Sequence, residues 1–193
     1  MDKIRENFSK EEFPVFGVNE IKSWLVANQG NPSYAHIILH NLERNGEIHR
    51  ITRGFYTFHE DAQVVGFAFK PFYYGLEDAL YMHNIIEQGS NPVVVTTRKV
   101  RNGLRNFAGR NYVIHRIENR HFFGFELVGQ GKTWLPVSDL EKTFIDLVYF
   151  RHYVHDEAMV KLLKRVDRKK VRKYLDNYDK RFANKVMCLL KEK

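Results

Sequence analysis

The sequence predicts an α+β protein: an N-terminal winged helix-turn-helix, then a mixed α/β domain with a helical C-terminal segment. Three observations carry this. Residues 31–58, NPSYAHIILHNLERNGEIHRITRGFYTF, read as a capped helix feeding straight into a tight hairpin. A β-branched run, Val93-Val94-Val95-Thr96-Thr97, lies among shorter alternating segments. From Asp156 onward the apolar spacing is helical and the residues between are mostly basic.

The first domain is read element by element. Residues 1–14 are short and charged, with Ile4 and Phe8 spaced for one or two helical turns. Asn19 is expected to cap a helix reaching about residue 28, with Val18, Ile21, Trp24 and Leu25 inward. Gln29-Gly30-Asn31-Pro32 is a turn. Pro32 suits a first helical position and Asn31 the cap before it. Ala35, Ile38, Leu39 and Leu42 recur at i, i+3, i+4 and i+7, which makes one buried face. Gly46 after Asn45 can take the left-handed conformation that ends a helix. Segments 47–51 and 55–58 alternate as strands around the turn Thr52-Arg53-Gly54. The helix-turn-helix is therefore 19–28 followed by 32–45, and the hairpin is its wing.

Polar His59-Glu60-Asp61 sets the domain boundary, giving 1–60 and 61–193. In the second domain, 64–69 is an apolar strand candidate. Leu76, Ala79, Leu80 and His83 form a helical stripe ending before Gly89, and Ser90-Asn91-Pro92 breaks the chain. Strand 93–97 reads as buried on both sides. Residues 98–110 form a basic loop or exposed hairpin. Segments 112–117, 122–128 and 133–137 alternate as strands, with Gly129-Gln130-Gly131 turning between the last two. Helix 138–150 is expected to start with a capping box of Ser138 and Glu141 and to bury Leu140, Phe144, Leu147 and Val148. Helices near 157–164, 167–175 and 180–191 complete the chain. If the first two ran unbroken, Lys161, Arg165, Arg168 or Lys169, and Arg172 would align about one turn apart.

Composition narrows the function. The chain has 193 residues, 44% of them hydrophobic and 28% charged, enough for packed cores. Its net charge of +8 favours an acidic partner such as nucleic acid or an anionic membrane surface. The charge is uneven: residues 1–60 hold 7 basic and 8 acidic side chains, whereas 159–193 hold 13 and 4. Phosphate attraction must therefore come largely from outside the first domain. The single cysteine, Cys188, excludes an intrachain disulfide and a Cys-rich zinc site. The charged start MDKIRENF is unlike a signal peptide, and no apolar run is long enough to cross a bilayer. A cytoplasmic protein with no membrane partner is expected.

The outward face of helix 32–45 carries the main functional reading. Ser33, His36, Ile37, His40 and Arg44 lie opposite the apolar stripe, with Tyr34 and Asn41 on the flanks. They can donate, accept or stack against base edges in a major groove, and Ile37 can meet a thymine methyl. Arg50 and Arg53, on or beside the wing, suit phosphates. The plainer alternative is a small helix-hairpin module that packs on the second domain or on another protein. Arg98, Lys99, Arg101 and Arg105, in a segment that also holds Tyr112 and His115, are further candidates for backbone or partner contacts. So are Arg165, Arg168, Lys169 and Arg172, unless they form only a solvated positive face.

Other constellations point elsewhere less strongly. Asp139, Glu141 and Asp146 could be metal-binding carboxylates of a phosphoryl-transfer enzyme. The plainer reading gives Glu141 to the capping box, Asp139 to the helix dipole, and Asp146 to the helix surface. His152, His155 and Asp156 have zinc-compatible spacing but no evident further ligand. Gly129-Gln130-Gly131-Lys132 lacks the spacing and the Ser/Thr of a phosphate loop and reads as a hairpin turn. No metal, cofactor or catalytic residue is predicted.

Several motifs together resemble the AbiEi-type antitoxins, transcriptional regulators of type IV toxin–antitoxin systems. The wing Arg53-Gly54-Phe55-Tyr56 resembles that of the family's winged helix. Tyr73-Tyr74-Gly75-Leu76-Glu77-Asp78-Ala79-Leu80 resembles its aromatic-led helix opening, and 93–97 its central strand. Val137-Ser138-Asp139-Leu140-Glu141-Lys142-Thr143-Phe144-Ile145-Asp146-Leu147 resembles its signature helix, in which Asp139, Glu141, Lys142, Thr143 and Asp146 match the motif. The resemblance implies an autorepressor that binds double-stranded DNA at its own operon. It also implies a second domain that counters a nucleotidyltransferase toxin without requiring a stable complex. The alternatives are a nucleic-acid- or nucleotide-processing enzyme using the second-domain carboxylates, and an adaptor binding RNA or protein through 98–120 and the basic tail.

Overall fold

A computed structural model describes residues 2–9, 14–89, 91–130 and 133–191. The chain is α+β and divides into two compact units. The first comprises residues 1–70 and 105–112, the second 71–104 and 113–193. The boundary expected near residue 60 thus differs from the compact division in two ways: the first unit continues to Lys70, and it takes back a later segment.

In the first unit, α1 (Asp2–Phe8), α2 (Val18–Ala27) and α3 (Ala35–Arg44) accompany a small antiparallel sheet. Its strands are β1 (Phe16–Gly17), β2 (His49–Thr52) and β3 (Phe55–Thr57), in the order β1-β3-β2. Ile4, Phe16, Ile21, Leu25, Ala35, Leu39, Leu42 and Ile48 form one buried cluster. The helix expected to be capped by Asn19 begins earlier. Gly17 is its extended N-cap, and the Glu20 carboxylate reaches back to accept from the Gly17 N–H at 3.2 Å. Pro32 opens a 3-10 turn, Pro32–Tyr34, before α3, and Asn31 accepts from the Ser33 N–H at 2.9 Å. Gly46 closes α3 at φ +72°, where Glu47 N–H reaches the Leu42 carbonyl at 2.9 Å and Gly46 N–H that of Glu43 at 3.0 Å. These are the paired bonds of a left-handed helix stop.

The segment expected as a strand at 64–69 is instead part of a 3-10 run, Ala62–Phe69. Asp61 opens it by accepting from the Gln63 N–H at 3.0 Å. Ala62, Val64, Val65, Ala68 and Phe69 are all buried, so the run carries no solvent-facing alternation to separate strand from tight helix.

The second unit is organised on β4 (Phe72–Tyr74), α4 (Leu76–Met82), β5 (Val93–Thr96), β6 (Gly103–Phe107), β7 (Arg110–Arg116), β8 (Phe125–Gln130) and β9 (Thr133–Ser138). The sheet order is β6-β7-β5-β4-β9-β8; β4 pairs parallel with β9 and β5 with β7, and β4–β5 and β8–β9 are antiparallel. The far ends of β6 and β7 are the residues that count with the first unit. The Gly129–Lys132 turn falls partly outside the described residues. Four helices follow: α5 (Leu140–Tyr149), α6 (Asp156–Arg165), α7 (Arg168–Leu175) and α8 (Lys180–Lys191). Leu76, Leu80, Val93, Phe144 and Leu147 share a core with Leu162, Val171, Leu175 and Val186 from the C-terminal helices. The unbroken basic helix is not found: Val166 turns extended at ψ 132° and Asp167 caps α7 afresh. Among the described residues no helix is long and apolar enough to cross a membrane.

Candidate functional site

In α3 the inward positions Ala35, Leu39 and Leu42 are buried, while His36, Ile37, His40 and Arg44 are exposed. Ile37 on α3 and Tyr34 at the 3-10 turn before it are each 57% exposed. Ser33 is exposed at the 3-10 turn, and Arg50 and Arg53 are exposed on β2 and at the β2–β3 turn. Gly54, at φ +80°, lets that turn close. The eight residues expected at a DNA surface therefore all lie in the first unit and reach solvent.

The hairpin segment that belongs to this unit buttresses β2. The Tyr112 hydroxyl donates to the Ile51 carbonyl at 3.1 Å, and the Phe107 ring meets His49 edge-on at 6.1 Å. Tyr112 is buried, so it cannot follow a nucleic-acid backbone as the sequence suggested. Arg105 is half-buried, its guanidinium 5.4 Å from the Phe69 ring centroid. Arg98, Lys99 and Arg101 are exposed. In the second unit His115 is half-buried against Phe150, with ring centroids 4.6 Å apart, and burial lowers its pKa. Arg165 donates to the His83 carbonyl at 2.8 Å, and Arg168, Lys169 and Arg172 are exposed on α7.

The motif helix α5 holds the second concentration of polar chemistry, and here the expected roles change. Asp139, not Ser138, is the N-cap, accepting from the Lys142 N–H at 2.7 Å. The Ser138 hydroxyl pairs with Thr143 at 2.7 Å. Glu141 makes no capping box; it accepts from the Asp167 N–H at 2.8 Å and lies 2.8 Å from the Lys170 ammonium. It caps a neighbouring helix start instead of its own, which local spacing cannot reveal. Asp146 is not a surface acid. It is fully buried, paired with the equally buried Lys142, and accepts from the Tyr73 hydroxyl at 2.7 Å.

Electrostatics follow from this burial. Desolvation pushes Asp146 up and Lys142 down, and the contact between them opposes both shifts. Tyr73 is raised well above its ordinary value by burial and by Asp146. The Lys142 ammonium also lies 5.5 Å from the Tyr73 ring centroid and 5.3 Å from that of Phe123, while the Tyr178 hydroxyl is 3.3 Å away. A second layer joins α5 to α7: the Tyr174 hydroxyl donates to Asp139 at 2.7 Å, and Lys170 sits 3.1 Å from the same carboxylate. Burial and the Asp139 contact raise Tyr174 to about 12. Gly124, at φ +71°, passes so close that a Cβ there would lie 2.9 Å from both Lys142 and Tyr174. The sequence singled out the α5 carboxylates, named Tyr73 only as part of the resemblance motif with no link to Asp146, and missed Gly124, Lys170, Tyr174 and Tyr178; only the i, i+4 spacing of Lys142 and Asp146 hinted at a pair.

This constellation binds β4, α5 and α7 together; each α5 carboxylate is already engaged by side chains or backbone of the chain. Elsewhere His152 lies 3.2 Å from Glu77 and His155 occupies the exposed N-cap of α6. Among the described residues no group of three or more His, Cys, Asp or Glu could hold a metal ion. No family model and no curated protein matches this sequence.

Proposed function

We propose that the protein is a DNA-binding transcriptional regulator of antitoxin type, in which α2, α3 and the β2–β3 hairpin act as a winged helix-turn-helix. The single observation that supports this best is the solvent-facing stripe of α3. Ile37 is more than half exposed between His36 and His40, with Arg44 a turn further on, while Ala35, Leu39 and Leu42 on the other side of the helix are buried and Ile38 is partly buried. A helix intended only for packing gains nothing from an open isoleucine among imidazoles, whereas a major groove offers both methyl groups and base-edge acceptors. In this reading Ser33, Tyr34, His36, Ile37, His40 and Arg44 read bases, and Arg50 and Arg53 hold the flanking backbone.

The target is the operator of the protein's own operon, and the site of action is the cytoplasm. The second unit counters a nucleotidyltransferase toxin without a stable complex, and the chain itself is not an enzyme. The α5 motif residues act in this scheme as the clamp that keeps the second unit's helices on its sheet. Because the first 60 residues carry slightly more acidic than basic side chains, backbone attraction comes mainly from the exposed cations of the second unit, among them Arg168, Lys169 and Arg172. The test is a footprint of the full-length protein on the DNA upstream of its gene at several salt concentrations. A protected site whose affinity falls steeply with salt is expected. Equal binding to any duplex of that length would overturn the operator assignment.

A further inference from the structure

In the first unit β2 is the outer strand of its sheet, with exposed Arg50 on the strand and exposed Arg53 at the turn that follows. A hairpin of four and three residues does not hold its shape alone in water. β1 pairs Phe16 with Tyr56 and Gly17 with Phe55, but on the side of β3 away from β2. The β2–β3 ladder is itself irregular. Arg50 pairs with Tyr56 and Thr52 with Phe55, two steps along β2 against one along β3, so Ile51 sits at a shift of register between the two arginines. Such shifts bend a strand and re-aim the side chains around them.

Support reaches this point from residues 105–112. Tyr112 is fully buried, and its hydroxyl donates to the Ile51 carbonyl at 3.1 Å. Its ring packs on Phe69 at a centroid distance of 6.3 Å. The Arg105 guanidinium donates to the same hydroxyl and lies over Phe69, 5.4 Å from the ring centroid. A guanidinium can only donate, so it takes a lone pair of the phenol oxygen and leaves the phenol proton for Ile51. Donation from a cation also polarises that O–H and strengthens the bond it makes. The relay runs from Arg105 to Tyr112 to Ile51, all within one unit.

We infer that Tyr112 is the positioning residue of the wing: its hydroxyl, oriented by Arg105, fixes the Ile51 carbonyl and with it the backbone from which Arg50 and Arg53 reach phosphates. This rests on the reading of the β2–β3 hairpin as a DNA-holding wing. Tyr112 itself touches no DNA. It acts by sparing the hairpin an ordering cost on binding, which is how a preformed loop raises affinity. Arg105, expected from the sequence as a backbone or partner contact, serves behind the wing instead.

The experiment uses Tyr112→Phe in the full-length protein, which removes the hydroxyl and keeps the buried ring. Circular dichroism sets a temperature at which every variant is fully folded. One net hydrogen bond corresponds to about a fivefold change in an equilibrium. Amide exchange over residues 49–57 is therefore expected to quicken by about that factor, with residues 35–44 unchanged. Affinity for the duplex upstream of the gene should fall to a similar extent. That loss should vanish in an Arg50→Ala, Arg53→Ala background and simply add to the loss from His40→Ala, because only groups that act together couple. A general loss of stability produces neither pattern. Unchanged exchange over 49–57 overturns the inference, as does an equal loss of affinity with and without the two arginines. A wild type indifferent to the duplex would end the DNA reading alone, and the exchange result would still decide whether Tyr112 holds the hairpin.

Discussion

The Tyr73 hydroxyl donates to Asp146 at 2.7 Å, joining a strand of the sheet to a helix 73 residues further along the chain. Lys142 completes the group, and all three side chains are fully buried. The unit therefore encloses a charge pair whose two halves depend on each other.

Asp146→Ala is expected to destabilise the second unit by about 3–5 kcal/mol, because Lys142 would be left buried without its counter-charge. The double variant Lys142→Met, Asp146→Leu should recover much of that loss, since apolar groups of similar volume need no partner. Urea denaturation of the three proteins measures this. A double variant no more stable than Asp146→Ala would show that the charges are not coupled.

Alkaline pH should loosen the contact between α5 and α7. The folded state binds the Tyr174 proton more tightly than the unfolded chain does, so this contribution is complete below pH 10 and fades as pH climbs through about 12. Desolvation would lower Lys170, but its hydrogen bonds to Glu141 and Asp139 outweigh that and raise it, which acts in the same direction. Tyr174→Phe should therefore flatten the fall in melting temperature over this range. An unchanged alkaline profile would remove the Tyr174–Asp139 contact from the account.

Gly124→Ala should cost more than about 1 kcal/mol. The position needs a left-handed backbone, and the new methyl meets Lys142 and Tyr174 at 2.9 Å. Gly46→Ala shares the backbone penalty but meets nothing within 4 Å, so it should cost less. Thermal unfolding of both variants separates strain from crowding.

Arg53→Ala should weaken binding to all DNA sequences about equally and lower the salt slope by roughly one unit. His40→Ala should instead change which bases are preferred. Affinity titrations on operator and scrambled duplexes at several salt concentrations distinguish the two. An unaltered affinity for Arg53→Ala would take the hairpin out of the interface, and an unaltered preference for His40→Ala would take that side chain out of the reading set.

The first unit's helices are legible in the sequence because their signals are local. Asn31, Pro32 and Gly46 mark the ends of one helical stretch within a few residues of where they act, and Ala35, Leu39 and Leu42 lie on one period. The α5 cluster is not legible in that way. Ser138 and Glu141 have the spacing of a capping box, yet Asp139 wins the cap and Glu141 is drawn to Asp167 and Lys170, residues whose proximity only tertiary folding creates. Asp146 shows the same limit: nothing in its neighbourhood reveals Tyr73 or complete burial. The 64–69 segment fails for a different reason, since an all-apolar run carries no period from which to choose a conformation.

The return of residues 105–112 to the first unit has a consequence for how the chain is made. Tyr112 supports the Ile51 carbonyl and Phe107 packs on His49, so a nascent chain that has emerged only to residue 70 still lacks pieces of its own amino-terminal half. Folding during synthesis cannot finish that half before the third strand partner of the later sheet has begun to appear. Fragments cut at residue 60 or 70 would carry the same gap, and weak operator binding by such a fragment would report a missing brace and not a missing recognition surface.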